Sequence, residues 1–455
     1  MLRSNNLKRY FPALLSILFS VSLLAQDRLT LKRAVDRALE NNPDLAVDAP
    51  AQEAARLEFK AAKAGYLPRL TFEQSYLGGN NPVFVFGTLL TQRKFTEKNF
   101  ELSALNSPDP VGNLQTRATV QQTIWDFGRT GSYRKQADLG IKMADLSHED
   151  HRRRIMLDVF GGYHAVSLAQ SALETAQLAV RSAEAIEIQA NARVESGLAV
   201  EADLLRSRVY LSQARQQEIQ ARGQLETAKA HLNRLMGDPL NNLIGQTTPL
   251  EPREISVPSE TGLLMEQKQR RPDFQNLLTE LRAAEAAVGS RKNELLPVIA
   301  GYGTWEMDNP SLTKYGGNNW AAGITFSWDI YAGGGDTARR DAELQRLEQK
   351  RRQVAAMESA MALEIRSALI QYSAAEQQVI AAQAAEAQSE EGLRILKNRY
   401  DAGLATMTDL LSAETARSSA RTRLAEALYR QRISYVQVEY AAGILSPTSE
   451  AMNLQ

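Results

Sequence analysis

The chain has 455 residues, equal numbers of basic and acidic side chains, and no cysteine. A net charge of zero gives no electrostatic reason to expect nucleic acid as a partner. Without cysteine, we expect neither disulfide bonds nor a lipid anchor on an N-terminal cysteine.

The N-terminus has the pattern of a secretory signal peptide. Three basic residues precede an apolar run from Phe11 to Leu24, and the small residue Ala25 follows it. Export signals have this order of a basic start, a short apolar stretch and a small residue at the exit. We therefore predict that residues 1–25 are removed on export. Since no later stretch is apolar enough for a membrane helix, such a chain is periplasmic, secreted, or in the outer membrane as a β-barrel.

The rest of the chain contains one pattern twice. Three short motifs occur in both halves and in the same order. They are Asn-Pro-Asp-Leu at 42–45 and Arg-Pro-Asp-Phe at 271–274, Trp-Asp at 125–126 and 328–329, and Gly-Leu with Asp-Leu-Leu at 197–205 and 403–411. Such repetition predicts one structural unit built twice. We place the first unit at 26–236, a linker at 237–260, the second unit at 261–443 and a C-terminal tail at 444–455.

Two proline-free runs, 131–195 and 336–400, predict helices of about 100 Å each, given the rise per residue of an α-helix. Large apolar residues recur at seven-residue intervals along both runs. They are Val159, Val166, Leu173, Val180 and Val194 in the first run, and Ile365, Tyr372, Val379, Leu393 and Tyr400 in the second. Only Glu187 and Glu386 interrupt the series. This pattern predicts coiled-coil packing, although by itself it leaves open an unrelated long coiled coil.

Shorter helices are predicted beside the long ones. The segments 200–236 and 406–440 follow glycine turns, and the segments 43–65 and 272–295 precede strands. In each half, the two short segments together match the length of the long helix, as expected for the wall of a cylinder. The segment 237–260 contains four prolines, and we expect it to form a belt around the middle.

Four segments are predicted to be β-strands, near 68–77, 116–127, 297–306 and 319–331. The fourth alternates between apolar residues, including Trp320, Phe326 and Trp328, and small or polar ones. This alternation is typical of strands with one face in lipid. With Phe72 and Tyr76 of the first strand, these three aromatic residues are our candidates for belts at the membrane surfaces. In the third strand, the alternating residues are Val298, Ala300 and Tyr302.

Four strands are too few to close a barrel, since the smallest single-chain barrels need about eight. An open sheet edge in lipid leaves backbone groups unpaired, at several kcal/mol each. We therefore expect copies of the chain to share one barrel, unless the strands form a soluble sheet at one end of the helices. The segment 78–112, which contains Val83–Phe86 and several prolines, is interpreted as a long surface-exposed loop placed to cap the mouth of the barrel.

The remaining motifs point to no chemistry. The glycine-rich segment 333–337 lacks the lysine of a phosphate-binding loop, and we predict a turn with Asp336 as a helix N-cap. For His148 and His151, one helical turn apart, we favour an exposed pair over a metal contact. No Ser-His-Asp or paired-carboxylate arrangement stands out, so we expect no enzyme, no cofactor and no metal.

The duplicated motifs together resemble the TolC-type outer membrane efflux family over about 29–445. The resemblance implies a mainly α fold with a β-barrel portion: a duplicated coiled-coil tunnel in the periplasm and four transmembrane strands per chain, with the barrel completed by a homotrimer. It implies a passive exit duct of a tripartite efflux pump or a type I secretion system, set in the lipids of the outer membrane. The implied partners are a periplasmic adaptor (membrane fusion) protein and an inner-membrane RND, ABC or MFS transporter.

The resemblance also implies roles for particular residues. Adaptor hairpins are expected to contact the two helix-turn-helix ends, at Val194, Gly197, Leu198, Tyr400, Gly403 and Leu404. Acidic side chains and interhelical ties near the same end are expected to form a gate, at Asp203, Tyr400 and Asp409. Ala405 and Ser412 stand where family members can have an arginine tie and a second acidic ring, so this gate departs from the best-known pattern.

Two alternatives stay open at this point. Asp203 and Asp409 each lie in the first turn of a predicted helix, where an acid stabilises any helix, so their role can be purely structural. The chain as a whole can also be a periplasmic coiled-coil scaffold or adaptor protein without a barrel. An adaptor normally carries lipoyl-like β-domains between its helices, and the sequence gives no sign of them.

Overall fold

The computed structural model of the chain describes residues 28–453; the predicted signal peptide, 1–25, lies outside this range. The described helices, in chain order, are α1 (Leu31–Asn41), α2 (Pro43–Ala46), α3 (Asp48–Lys63), α4 (Pro82–Thr91), α5 (Leu102–Asn106), α6 (Arg129–Glu195), α7 (Glu201–Met236), α8 (Glu260–Arg270), α9 (Pro272–Asn293), α10 (Gly335–Asp401) and α11 (Met407–Ala442). The strands are β1 (Arg69–Gly79), β2 (Val111–Trp125), β3 (Val298–Asn309) and β4 (Gly317–Ser327). None of these helices is long and apolar enough to cross a bilayer.

The two long helices predicted from the heptads are confirmed. α6 and α10 have 67 residues each, and the seven-residue apolar series lies in their buried seams, with Val159, Val166 and Ile365 fully buried. The two acidic interruptions pair with arginines on the neighbouring helices. Arg208 on α7 lies 3.1 Å from the carboxylate of Glu187, and Arg421 on α11 lies 3.6 Å from that of Glu386.

Small residues let the helix axes approach closely. α7 packs along α6 and α11 along α10. At Gly162, for example, a β-carbon would lie 3.0 Å from a methyl group of Leu235, so the leucine fills the space that the missing side chain leaves. Ser207 and Ala214 take similar buried positions on α7. This is the packing of a large side chain into a small gap that defines coiled coils.

The prediction of one helix over 43–65 is wrong. The segment divides into α2 and α3, followed by a 3₁₀ turn at Ala64–Tyr66. Pro50, in the first turn of α3, has no N–H to donate to the carbonyl of Ala46, so the helical ladder is interrupted there. Asn42 caps α2, since its side-chain oxygen accepts the backbone N–H of Asp44 at 2.8 Å. In the second half, α9 has no such break.

The segment between α7 and α8 contains no regular element among its described residues and lies against the long helices at mid-length. Tyr163 on α6 donates its hydroxyl to the carbonyl of Leu29 at 2.7 Å and accepts the backbone N–H of Thr248. Tyr372 on α10 donates to the carbonyl of Ile255 at 3.0 Å. The largest apolar cluster of the described chain lies at this level. Both long helices are therefore hydrogen-bonded to the connecting segment at the level of this cluster.

The four strands form one antiparallel sheet in the order β1-β2-β3-β4. β1 and β4 are its two outer strands and have no further strand beside them in the described chain. The predicted bounds of β4 are wrong at its end, because the strand stops at Ser327 and Trp328 lies beyond it. Trp328 instead donates its indole N–H to the carbonyl of Leu295 at 3.0 Å. That hydrogen bond places the ring against the segment that follows α9.

Strand pairing aligns the aromatic residues in rows. Phe72, Ala118, Trp305 and Trp320 are direct neighbours across the four strands, so they share one face. Phe72 is 69% exposed and Trp320 is 80% exposed. The face predicted for β3 is wrong, since Tyr302 pairs with Gln121 and Gly323 on the opposite face. On the apolar face of β3, Gly301 and Gly303 lie between Ile299 and Trp305, and this gap hides the true alternation in the sequence.

The Trp-Asp motif at the end of β2 starts the long helix α6. The carboxylate of Asp126 accepts the backbone N–H of Gly128 at 3.1 Å and that of Thr130 at 2.7 Å. Gly128 is the N-cap residue and Thr130 lies in the first turn, and the helix itself leaves both N–H groups unpaired. In the second half, by contrast, the predicted N-cap at Asp336 is wrong: α10 is preceded by Gly334 in a left-handed conformation, and Asp336 lies inside the first turn beside Arg339.

Two further interpretations need correction. The segment 78–112 is more than a surface loop, since it contains α4, a 3₁₀ turn and α5, joined by edge-to-face packing of Phe95 with Phe86 and Phe100.

The histidine pair is not simply exposed. His148 and His151 lie 3.0 and 2.9 Å from different oxygens of the Asp48 carboxylate, which joins α6 to the start of α3.

Two matched glycines test how the end of α7 packs. Gly237 and Gly403 both have φ near +74°, but a β-carbon at Gly237 would lie 2.1 Å from the carbonyl oxygen of Asn41, whereas nothing lies near Gly403. We expect G403A to cost about 1 kcal/mol, for the left-handed backbone alone, and G237A roughly 3 kcal/mol or more, because its neighbour must also move. Thermal unfolding of the detergent-solubilised protein, followed by circular dichroism, measures the difference. Equal losses for the two variants would contradict this packing.

Candidate functional site

The two glycine turns at one end of the long helices have the same conformation. They join α6 to α7 and α10 to α11. Gly197 and Gly403 have φ of 73° and 74°, and the next residue donates its N–H back into the preceding helix: Leu198 to the carbonyl of Arg193 at 2.8 Å, and Leu404 to that of Arg399 at 2.7 Å. This is a Schellman helix end, in which glycine takes the left-handed position.

The turns present apolar side chains to solvent. Leu198 is 77% exposed, Leu404 69% and Val200 63%. The remaining members of the predicted contact set lie differently: Val194 is half-buried and Tyr400 is buried. The structure therefore separates the predicted contact residues into an exposed tip, Leu198 and Leu404 with their glycines, and a supporting layer beneath it.

A shared apolar cluster holds the two turns together. Its members come from all four helices that meet at this end, and its buried residues are Ile186, Ala190, Leu204, Leu393, Tyr400, Met407, Leu410 and Ala413. Because each turn rests on the same cluster, one turn cannot shift without disturbing the packing beneath the other.

Arg193, which the sequence patterns did not single out, makes a polar tie between the two repeats beside the turns. From α6 its guanidinium donates to the carbonyls of Tyr400 at 3.0 Å and Asp401 at 2.9 Å, and it lies 4.6 Å from the centre of the Tyr400 ring. Gln189 adds a hydrogen bond to the Asp401 carboxylate at 2.7 Å. A cation is favourable at the last carbonyls of a helix. Here the carbonyls end α10 whereas Arg193 lies on α6, so residue spacing in the sequence does not predict this contact.

The two predicted gate acids have different surroundings. Asp409 forms a capping box with Thr406: its carboxylate accepts the Thr406 hydroxyl at 2.7 Å and backbone N–H at 2.9 Å. The Thr406 side-chain hydrogen bond, followed by the backbone one, lowers the pKa of the exposed Asp409 carboxyl below its ordinary value. Asp203 instead pairs with Arg206 at 3.2 Å, and Val200 before it offers no side-chain cap.

A second unpredicted tie lies one layer further from the turns. Glu414 on α11 is buried, accepts the hydroxyl of Ser182 on α6 at 2.5 Å and pairs with Arg417 at 2.7 Å. Burial, together with the Glu414 carboxylate, raises the pKa of Tyr210 on α7 to about 12. The position where an arginine tie was considered, Ala405, is half-buried, and Ser412 is exposed. Ties between the helices are thus made by Arg193 and Glu414 instead.

The polar side chains described at this end pair with one another or with helix ends. No group of three or more His, Cys, Asp or Glu residues in the 28–453 range is placed to hold a metal ion. What the site provides is a pair of apolar tips on a packed layer, with carboxylates and arginines as ties between helices. Such a site is suited to contact with another protein and to movement of helix ends.

Known proteins resemble the chain over nearly its whole length. Alkaline protease secretion protein AprF of Pseudomonas aeruginosa is 26% identical over 424 residues, which are 90% of this chain and 83% of that protein. Outer membrane protein TolC of Escherichia coli K12 is 20% identical over 455 residues, 97% of this chain and 87% of the relative. The solved CmeC outer membrane channel of Campylobacter jejuni, 19% identical, matches with a TM-score of 0.78 over 94% of this chain and 89% of that one.

The family comparison covers both repeats. The model of the family described as outer membrane efflux protein matches residues 34–238 and 263–444, which leaves out little more than the termini and the segment between α7 and α8. The structural likeness gives the fold as a helical tunnel joined to a β-barrel portion. With both matched ranges and the fold in agreement, the chain belongs to the outer membrane efflux protein family, transport channels of the outer membrane with a tunnel in the periplasm.

Proposed function

We propose that three copies of the chain form a passive exit duct of a tripartite efflux pump or type I secretion system, closed at the glycine-turn ends until its partners open it. The observation that carries the proposal is the open sheet. β1 and β4 both end the sheet, and unpaired edges are not tolerated in lipid. Three copies supply about twelve strands, above the eight or so that closure requires.

The exposed apolar face of the sheet supports contact with outer membrane lipids. Phe72, Tyr76, Trp320 and Phe326 are all more than 60% exposed in the single chain, and alternate residues of the same strands are polar. Aromatic residues near both ends of such a face are favoured at the two membrane surfaces. Trp328, just beyond β4, extends this set toward the helices. The duct acts by providing a path and performs no catalysis.

The tips are proposed to contact a periplasmic adaptor protein. Leu198, Val200 and Leu404 present apolar area that nothing in the described chain covers, and the two turns have matching conformations. An adaptor with repeated hairpins can therefore bind both in the same way. Relatives serve protease secretion, as the name of AprF states, and toluene efflux, as that of TtgI states. Either an ABC transporter or an RND or MFS transporter thus fits as the inner-membrane partner.

The gate is proposed to be the layer beneath the tips, where Asp409, Asp203 and Tyr400 lie. Arg193 holds the end of α6 to the end of α10, and the capping box fixes the start of α11. Outward movement of α10 and α11 would have to break the contacts of Arg193 first. We infer that adaptor and transporter open the duct by pulling these helices apart.

Removing the Arg193 tie is expected to favour the open duct. Arg193→Ala loses two charge-assisted hydrogen bonds and the ring contact, of order 1–2 kcal/mol each at most, so the conductance of the purified protein in planar bilayers should rise several-fold. Arg394→Ala is the matched control, because Arg394 lies on α10 and pairs with Glu391 on its own helix at 2.6 Å. Unchanged conductance in Arg193→Ala would remove Arg193 from the gate.

Joining the subunits at the gate is expected to stop export. Because the chain has no cysteine, Asp409→Cys places one thiol per subunit, and a reducible bifunctional maleimide can link neighbouring copies near the proposed axis. Export of the pump's cargo should fall to background after linking and return after reduction. The controls are the unlinked variant and Arg352→Cys, a highly exposed position on α10. Export that continues in fully linked cells would rule out a gate at Asp409.

A further inference from the structure

The segment between β1 and β2 spans the end of the sheet that lies away from the long helices. β1 ends at Gly79 and α4 begins at Pro82. The ten residues of α4 extend about 15 Å, which matches the roughly 14 Å across three strand spacings. α4 is therefore long enough to cross from β1 to β4.

The far end of α4 is fitted to β4. Arg93, just after the helix, donates to the backbone carbonyl of Asn318 at 3.2 Å. Gly317 makes room for this contact, since a β-carbon there would lie 2.1 Å from the carbonyl oxygen of Thr91. Arg93 itself has φ of 56°, a conformation that is unfavourable for a residue other than glycine. The fit requires both a glycine on the strand and a strained residue on the helix end.

A chain of hydrogen bonds fastens the same helix end to the polar face of the sheet. Gln92 donates to the side-chain oxygen of Asn113 at 2.9 Å, and Asn113 donates to the carboxylate of Asp308 at 2.6 Å. Gln115 reaches the same carboxylate at 3.3 Å. Strand register places Asn113 and Gln115 on the face of Arg117, whose guanidinium lies 2.7 Å from Glu306. The contacts therefore lie on the polar face and not on the face of the tryptophans.

The end of this face that α4 covers is buried. Asp308 is 1% exposed, Gln92 3% and Asn113 8%, whereas Thr71 and Thr325, further along the same face toward the helices, are exposed. One oxygen of the Asp308 carboxylate has no hydrogen-bond partner. A buried carboxylate oxygen without a hydrogen-bond partner is costly. The contact between α4 and the sheet is therefore less stable than one in which every buried polar group is paired.

We propose that α4 is an inward-folded cap, one per subunit, which narrows the outer mouth of the duct and is held by a latch of Gln92, Arg93, Asn113 and Asp308. The inference rests on the proposed function, because the polar face lines a lumen only in a closed barrel. It goes beyond that function by adding a second constriction, at the opposite end from the glycine turns. The latch is a set of hydrogen bonds with one guanidinium, so a passing cargo can displace it.

Size-selective labelling from outside intact cells tests the cap. Thr119→Cys puts a thiol on the polar face beyond the latch, and the chain has no other cysteine. A small maleimide should label it, whereas a maleimide on a long polyethylene glycol chain should not. Adding Gln92→Ala and Arg93→Ala should speed labelling by the long reagent at least roughly tenfold, since each net hydrogen bond lost shifts an opening equilibrium about fivefold. Val83→Ser, at the other end of α4 and 81% exposed, is the matched control and should change nothing.

A second cysteine separates failure of the cap from failure of the duct. Ala322→Cys lies on the tryptophan face of β4 and should resist both reagents if that face lies in lipid. If Thr119→Cys reacts equally with both reagents without the latch substitutions while Ala322→Cys stays unlabelled, the duct stands and the cap is overturned. If Ala322→Cys reacts as readily as Thr119→Cys, the barrel itself is overturned and the cap with it.

Discussion

The packing of a large side chain against a small one, repeated every seven residues, is the constraint on which the other features depend. It keeps α7 beside α6 and α11 beside α10, and so brings the two glycine turns to one level. The sheet at the other end is joined to the same helices, because β2 leads into α6 and β4 leads into α10. Even the two charged interruptions of the series, Glu187 and Glu386, are paired across the seam and leave the packing intact.

Periodic features could be predicted from the sequence, and contacts between distant segments could not. The lengths of the helices, the glycine turns and the four strands follow from the periodicity of residues close together in the sequence. The tie of Arg193 to the last carbonyls of α10 depends on which helix end lies beside which, and no spacing records that. Glycines concealed the apolar face of β3, and the proline that divides α2 from α3 acts through a single missing N–H.

The two repeats are alike in backbone and unlike in how their turns are secured. In the second, Thr406 and Asp409 close the start of α11 with reciprocal hydrogen bonds. In the first, Val200 offers no such cap, and Asp203 turns to Arg206. The start of α7 is thus less constrained than that of α11, while the end of α6 holds the end of α10 through Arg193. The two repeats therefore share a backbone arrangement and differ at a few polar positions near their turns.

The hydroxyls of Tyr163 and Tyr372, which hold the connecting segment against α6 and α10, also mark the level about which each long helix can tilt. From Tyr163 to the end of α6 at Glu195 the helix is uninterrupted, an arm of roughly 50 Å. A tilt of about 10° around that fulcrum displaces the far end by roughly 9 Å, more than the width of a helix backbone, while atoms near the fulcrum hardly move. Because Tyr163 lies near the middle of α6, the strands at the other end keep their place only if the helix bends at the level of the connecting segment.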